Sequence, residues 1–106
     1  MKFTKEFFKN PRQIGSLFSS SKNLSRLITD SADLTTKSVI VELGPGTGIF
    51  TNEIINKKSE NSLFFAIELN KVLFNQTKNT NPNVIVYNDS ASEINKYLSK
   101  HGTRHS

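Results

Sequence analysis

Cysteine is absent from the chain, which excludes a disulfide framework and any thiolate metal site. Histidine is scarce: His101 and His105 both fall in a polar C-terminal stretch, where solvated side chains are expected and no metal site is assigned. Long apolar runs are missing too. The longest, Leu63 to Ile67, has five residues, far below the roughly 20 that a membrane-spanning helix needs. Lys5, Glu6 and Lys9 interrupt the first phenylalanines, so no signal peptide is visible. There are no repeats and no low-complexity tracts. A soluble or peripheral protein is expected, with a cytoplasmic setting as the default. The 106 residues suffice for one small domain, but a doubly wound sheet of the usual kind takes about twice that, so the chain is expected to be incomplete.

The most telling stretch is Val39-Ile-Val-Glu-Leu-Gly-Pro-Gly-Thr-Gly-Ile-Phe50. Val39, Ile40 and Val41 suit a parallel strand buried on both faces, while Phe50, Ile54 and Ile55 recur at helical spacing. Hydrophobic periodicity therefore switches from strand to helix across glycines 44, 46 and 48. Such a turn lets a ligand lie against the backbone and meet the unpaired N–H groups of the helix start. The spacing separates the candidate ligands. A dinucleotide fingerprint would need glycine at position 49, which is Ile49, and a P-loop would need Lys then Ser or Thr after Gly48, where Ile49 and Phe50 stand.

Two more acidic residues fall at strand ends. Leu63 to Ile67 reads as a second buried strand ending at Glu68, where a carboxylate at a strand tip can accept both ribose hydroxyls. Val84 to Tyr87 reads as a third, ending at Asn88, Asp89 and Ser90. Capping is compatible with binding: Asn70 suits the start of the next helix, and Asp89-Ser90 that of a helix carrying Ile94, Tyr97 and Leu98 on one face. Glu53 is expected on the outer surface of its helix.

The net charge of +5 is uneven, with +4 carried by residues 1–37 and +1 by residues 38–106. The first 37 residues are read as a helical N-terminal arm in two pieces parted by Asn10-Pro11. Phe3, Phe7 and Phe8 share a helical face with Lys2, Lys5 and Lys9 off it, and a second helix carries Leu24, Leu27 and Ile28 and ends before Thr35. A basic arm of this kind suits phosphates, whether of a lipid surface or of RNA.

Glu42-x-Gly44-x-Gly46-x-Gly48 resembles the first motif of class I S-adenosylmethionine-dependent methyltransferases. Together with Asn10-Pro-Arg-Gln-Ile-Gly15 and Ser20-Ser-Lys22, it looks like the opening of bacterial phospholipid N-methyltransferases, a group similar to the rRNA adenine N6-dimethyltransferases. The likeness covers nearly all of residues 3–98. It implies the N-terminal half of a Rossmann-like α/β domain over residues 38–106, with about three parallel strands. The implied cofactor is S-adenosyl-L-methionine, with Glu42 orienting its amino-acid end, Gly44, Gly46 and Gly48 beneath it, Glu68 on the ribose, and Asp89 with Ser90 at the adenine.

The implied activity is N-methylation of a phospholipid amine, with the arm peripheral at a membrane surface; the alternatives are N6-methylation of rRNA adenine and a non-catalytic cofactor-binding fragment. No catalytic residue can be named. The family's acceptor-side motif, an Asn-Pro-Pro-Tyr or Leu-Pro-Phe type of loop after a fourth strand, does not occur. In the family that fourth strand flanks the first, so the edge of Val39, Ile40 and Val41 is expected to be open and to promote self-association.

Overall fold

The computed structural model describes residues 5–9, 33–46 and 48–102. Four strands, β1 (Lys5–Lys9), β2 (Val39–Leu43), β3 (Leu63–Ile67) and β4 (Ile85–Tyr87), form one sheet in that order, and every neighbouring pair is parallel. Parallel neighbours need crossovers. Helix α1 (Ile49–Lys57) connects β2 to β3, α2 (Lys71–Thr80) connects β3 to β4, and α3 (Ile94–Lys100) follows β4 after a 3₁₀ turn over Ala91–Glu93. This is the open, parallel Rossmann-like half expected from the sequence, with each predicted strand and helix from β2 onward in its place.

Strand alternation builds two cores. Ile40 and Phe64 point to one face, where they pack with Phe50 and Ile54 of α1 and with Leu34. Val39, Val41, Phe65 and Ile67 point to the other and pack with Leu98 of α3. The sheet is thus covered on both sides, and its central strands are apolar throughout except where Glu42 intrudes.

The N-terminal segment departs from expectation. Lys5–Lys9 is a strand rather than part of an amphipathic helix, and it lies along β2 from Lys5 opposite Val39 to Lys9 opposite Leu43. Five residues are too few to nucleate an isolated helix, whereas the edge of β2 offers ready-made backbone partners to a segment holding two β-favouring phenylalanines. The edge of Val39, Ile40 and Val41 is therefore paired, which corrects the expectation of an open one. Glu6 also meets Lys37 at 3.7 Å across the junction, a half-exposed ion pair of little energetic weight. The second arm helix, from the Ser19 cluster to Thr35, lies largely outside the described residues.

Candidate functional site

The carboxyl ends of β2, β3 and β4 lie side by side, so the three motifs converge because the strands are parallel and in register. After Leu43 the chain turns through Gly44, Gly46 and Gly48, with φ of 71°, 58° and 88°, values that favour glycine. The Gly44 N–H donates to the Ile67 carbonyl at 2.8 Å, stitching the start of the turn to the end of β3. Gly48 is the N-cap of α1 and has no side chain to satisfy the helix's first N–H groups. Its φ, not space, demands glycine, since a Cβ there would meet Asn81 at an ordinary 3.5 Å.

Glu68 is buried at the tip of β3 and spans two loops. One carboxylate oxygen accepts from the Gly46 N–H at 3.2 Å and the other from the Asn70 N–H at 3.1 Å. Asn70 in turn caps α2 by accepting from the Leu73 N–H at 3.0 Å, the role expected of it. Each oxygen of Glu68 keeps a second lone pair, so two further donors, such as a pair of vicinal hydroxyls, can still be bound.

Glu42 lies within the sheet on the α1 face, fully buried. Its Oε1 accepts from the Thr51 hydroxyl at 2.6 Å, while Oε2 is buried and has no partner among the described residues. Burial pushes this carboxyl up to about 7; the Thr51 hydrogen bond opposes that, and the charge of Glu68 adds to it. Thr51, in the first turn of α1, was not singled out from the sequence. A polar residue among the apolar positions of the helix facing Glu42 is the signal that could have found it.

Asp89 and Ser90 lie beyond β4 and are tied to the Glu68 tip through Asn88, whose side-chain amide donates to the Glu68 and Leu69 carbonyls at 2.9 and 3.0 Å. The Asp89 carboxylate engages α3. Its Oδ2 accepts from the Tyr97 hydroxyl at 2.6 Å and from Lys96 at 2.9 Å, and its Oδ1 accepts from the Ser90 N–H at 2.7 Å. Tyr97 first and then Lys96 hold its pKa down to about 2. The Ser90 hydroxyl is used as a cap, accepting from the Ser92 N–H.

Glu42, the three glycines and Glu68 thus form one connected cluster, with Asp89 and Ser90 on the neighbouring tip. Among the described residues no group of three or more His, Asp or Glu side chains could hold a metal ion, and no helix is long and apolar enough to cross a membrane.

A buried carboxyl oxygen with no partner among the described residues, beside a turn of three glycines and with a second carboxylate retaining free lone pairs, fits a ligand that brings a cation at one end and a ribose at the other. A pyrophosphate would bring negative charge against the Glu68 carboxylate and oppose any ionisation of Glu42. The fit is therefore to S-adenosyl-L-methionine.

Comparison with known proteins agrees. The family described as ribosomal RNA adenine dimethylase matches residues 7–101. The protein named ribosomal RNA small subunit methyltransferase A from Sulfurihydrogenibium sp. is 36% identical over 61 residues, covering 58% of this chain and 23% of that protein. Its namesake from Ureaplasma parvum serovar 3 is 32% identical over 77 residues, covering 73% and 27%, and that from Hydrogenobaculum sp. is 29% identical over 86 residues, covering 81% and 33%. No solved structure matches the chain. The chain spans about a quarter to a third of the length of these relatives. These relatives are named for ribosomal RNA, which backs the rRNA alternative better than the expectation of a phospholipid acceptor. With its glycine turn, its strand-tip carboxylates and a match over nearly its whole length, the chain belongs to the ribosomal RNA adenine dimethylase family.

Proposed function

We propose that this chain forms the cofactor-binding part of an S-adenosylmethionine-dependent methyltransferase acting on adenine of small-subunit ribosomal RNA. Members of the family use S-adenosyl-L-methionine, which when bound supplies an electrophilic methyl group on a sulfonium. The observation that carries the reading is Glu68, whose two oxygens tie Gly46 to Asn70 and each keep a lone pair for a ribose hydroxyl. Gly44, Gly46 and Gly48 leave no Cβ in the way of the ligand, and Glu42 meets its cationic end. Asp89, ionised at every physiological pH, stays a pure acceptor, suited to an exocyclic amino group through the free lone pair of Oδ1. Transfer to an amine needs an on-axis lone pair more than acid–base help, so positioning is the main contribution asked of the protein.

Calorimetric titration with S-adenosylhomocysteine and NAD, followed by a labelled-methyl assay on small-subunit rRNA and on phosphatidylethanolamine vesicles, tests the proposal. Binding of S-adenosylhomocysteine but not NAD is expected, with any label going to RNA adenine. Binding of NAD alone, or label in lipid, would overturn it.

A further inference from the structure

Glu42 has no exposed surface, and among the described residues half of its carboxyl group, Oε2, has no partner. Among the described residues no cationic side chain acts on it. From α1 it meets Thr51; across the sheet in register stands Ala66 of β3; on the other side β1 pairs with it at Phe8. The charged group acting on it through space is Glu68, of the same sign. A carboxyl so placed is favoured as the neutral acid, and desolvation is the largest cause. A cation arriving beside it reverses that preference.

We propose that Glu42 is the proton-exchanging group of the cofactor site: it holds a proton in the free protein, releases it to solvent when S-adenosylmethionine is seated, and so lets the site distinguish this cation from S-adenosylhomocysteine by charge. The inference rests on the S-adenosylmethionine reading above. The two ligands share their ammonium, carboxylate and adenosine, and differ by the methyl group and the positive charge it puts on sulfur. Passage of that methyl to the acceptor nitrogen would leave a neutral thioether, and the attraction that keeps Glu42 ionised would weaken. The carboxylate then takes a proton back from water. Only an O–H bond is broken and remade, with no change of oxidation state. Loss of the product is thereby favoured by the same group that favoured the substrate.

The sign follows from linkage. The folded-state pKa is raised from 4.5 to about 7, so below 7 the cation must displace a proton. Its affinity therefore rises with pH, at most about tenfold per unit, and levels off above 7.

Calorimetry at pH 6 in two buffers of different ionisation enthalpy counts the protons. The full chain is expected to release close to one proton per S-adenosylmethionine and clearly less per S-adenosylhomocysteine. Glu42→Gln, an isosteric change, should release none and show an affinity ratio for the two ligands that no longer varies with pH. Tight binding of both ligands by the unaltered chain without proton release would overturn the inference while leaving the cofactor reading intact. Failure of both to bind would remove the two together. The ligand-free protein gives an independent readout: a glutamate carboxyl carbon signal in NMR that titrates near pH 7 and vanishes in Glu42→Gln is expected, whereas a Glu42 midpoint near 4.5 would overturn the inference with no ligand involved.

Discussion

Glu68 accepts hydrogen bonds from two backbone N–H groups, one in the glycine turn and one at the start of α2. Its position at a strand tip after a buried run was legible in the sequence. That it also braces Gly46 was not, because the contact joins residues 22 apart in the chain. The neighbouring glutamates show the same limit. Glu53, expected on the surface of α1, is only 9% exposed and pairs with Lys57 at 3.5 Å, so its removal perturbs the fold. Glu60, in the exposed turn before β3, is the better control. Glu68→Ala is expected to weaken S-adenosylhomocysteine binding by roughly 10- to 100-fold, matching the loss of about 1.5–3 kcal/mol of charge-assisted hydrogen bonding, while Glu60→Ala leaves it within about twofold. Calorimetry on both variants checks this; equal affinities would take Glu68 out of the site.

The last helix shows how an element is held by groups that a helical wheel does not reveal. Periodicity placed Ile94, Tyr97 and Leu98 on one face of α3, and they do pack against β2 and β3. The rest of the anchorage depends on strand order, which no local pattern encodes. Tyr87 and Tyr97 stack with ring centroids 4.0 Å apart, and His101 stacks on Phe65 at 5.2 Å while its Nε2 lies 2.7 Å from the Tyr87 hydroxyl. His101, expected to be a solvated tail residue, is thus half-buried, and burial lowers its pKa. Tyr97 then passes the anchorage on to Asp89 at the cofactor end. A depressed carboxylate pKa gives stability that is present above the ordinary value of 3.8 and is lost as pH falls through that value toward 2. Tyr97→Phe removes the largest cause of that depression, so the Asp89 midpoint should move up toward 3.8 and the stability lost between pH 4 and 2 should shrink. NMR titration of the Asp89 carboxyl with acid unfolding of both proteins measures this, and an unmoved midpoint would show that Lys96 and the Ser90 N–H set the charge without Tyr97.

At the scale of the whole molecule, one parallel sheet serves two purposes: its faces bury two apolar clusters and its carboxyl edge gathers the acidic residues and glycines. The Rossmann-like arrangement of β2, β3 and β4 was legible because continuous apolar runs alternate with helical periodicity, and Glu42, Glu68 and Asp89 each close one run. The place of Lys5–Lys9 was not, because its phenylalanines fit a helical face as well as a strand, and the choice between them is made by β2, some 30 residues further along the chain. This strand now shields what would otherwise be an apolar edge of Val39, Ile40 and Val41. Unpaired edges of that kind recruit other chains, and pairing removes the template. The full chain is therefore expected to run as a monomer near its mass of 11.9 kDa, whereas deletion of residues 1–9 should yield dimers or larger species and a broader urea transition. Size-exclusion chromatography with light scattering on the two proteins decides the matter. A deletion variant that stays monomeric and unfolds as sharply as the full chain would show that β1 contributes nothing to guarding the edge.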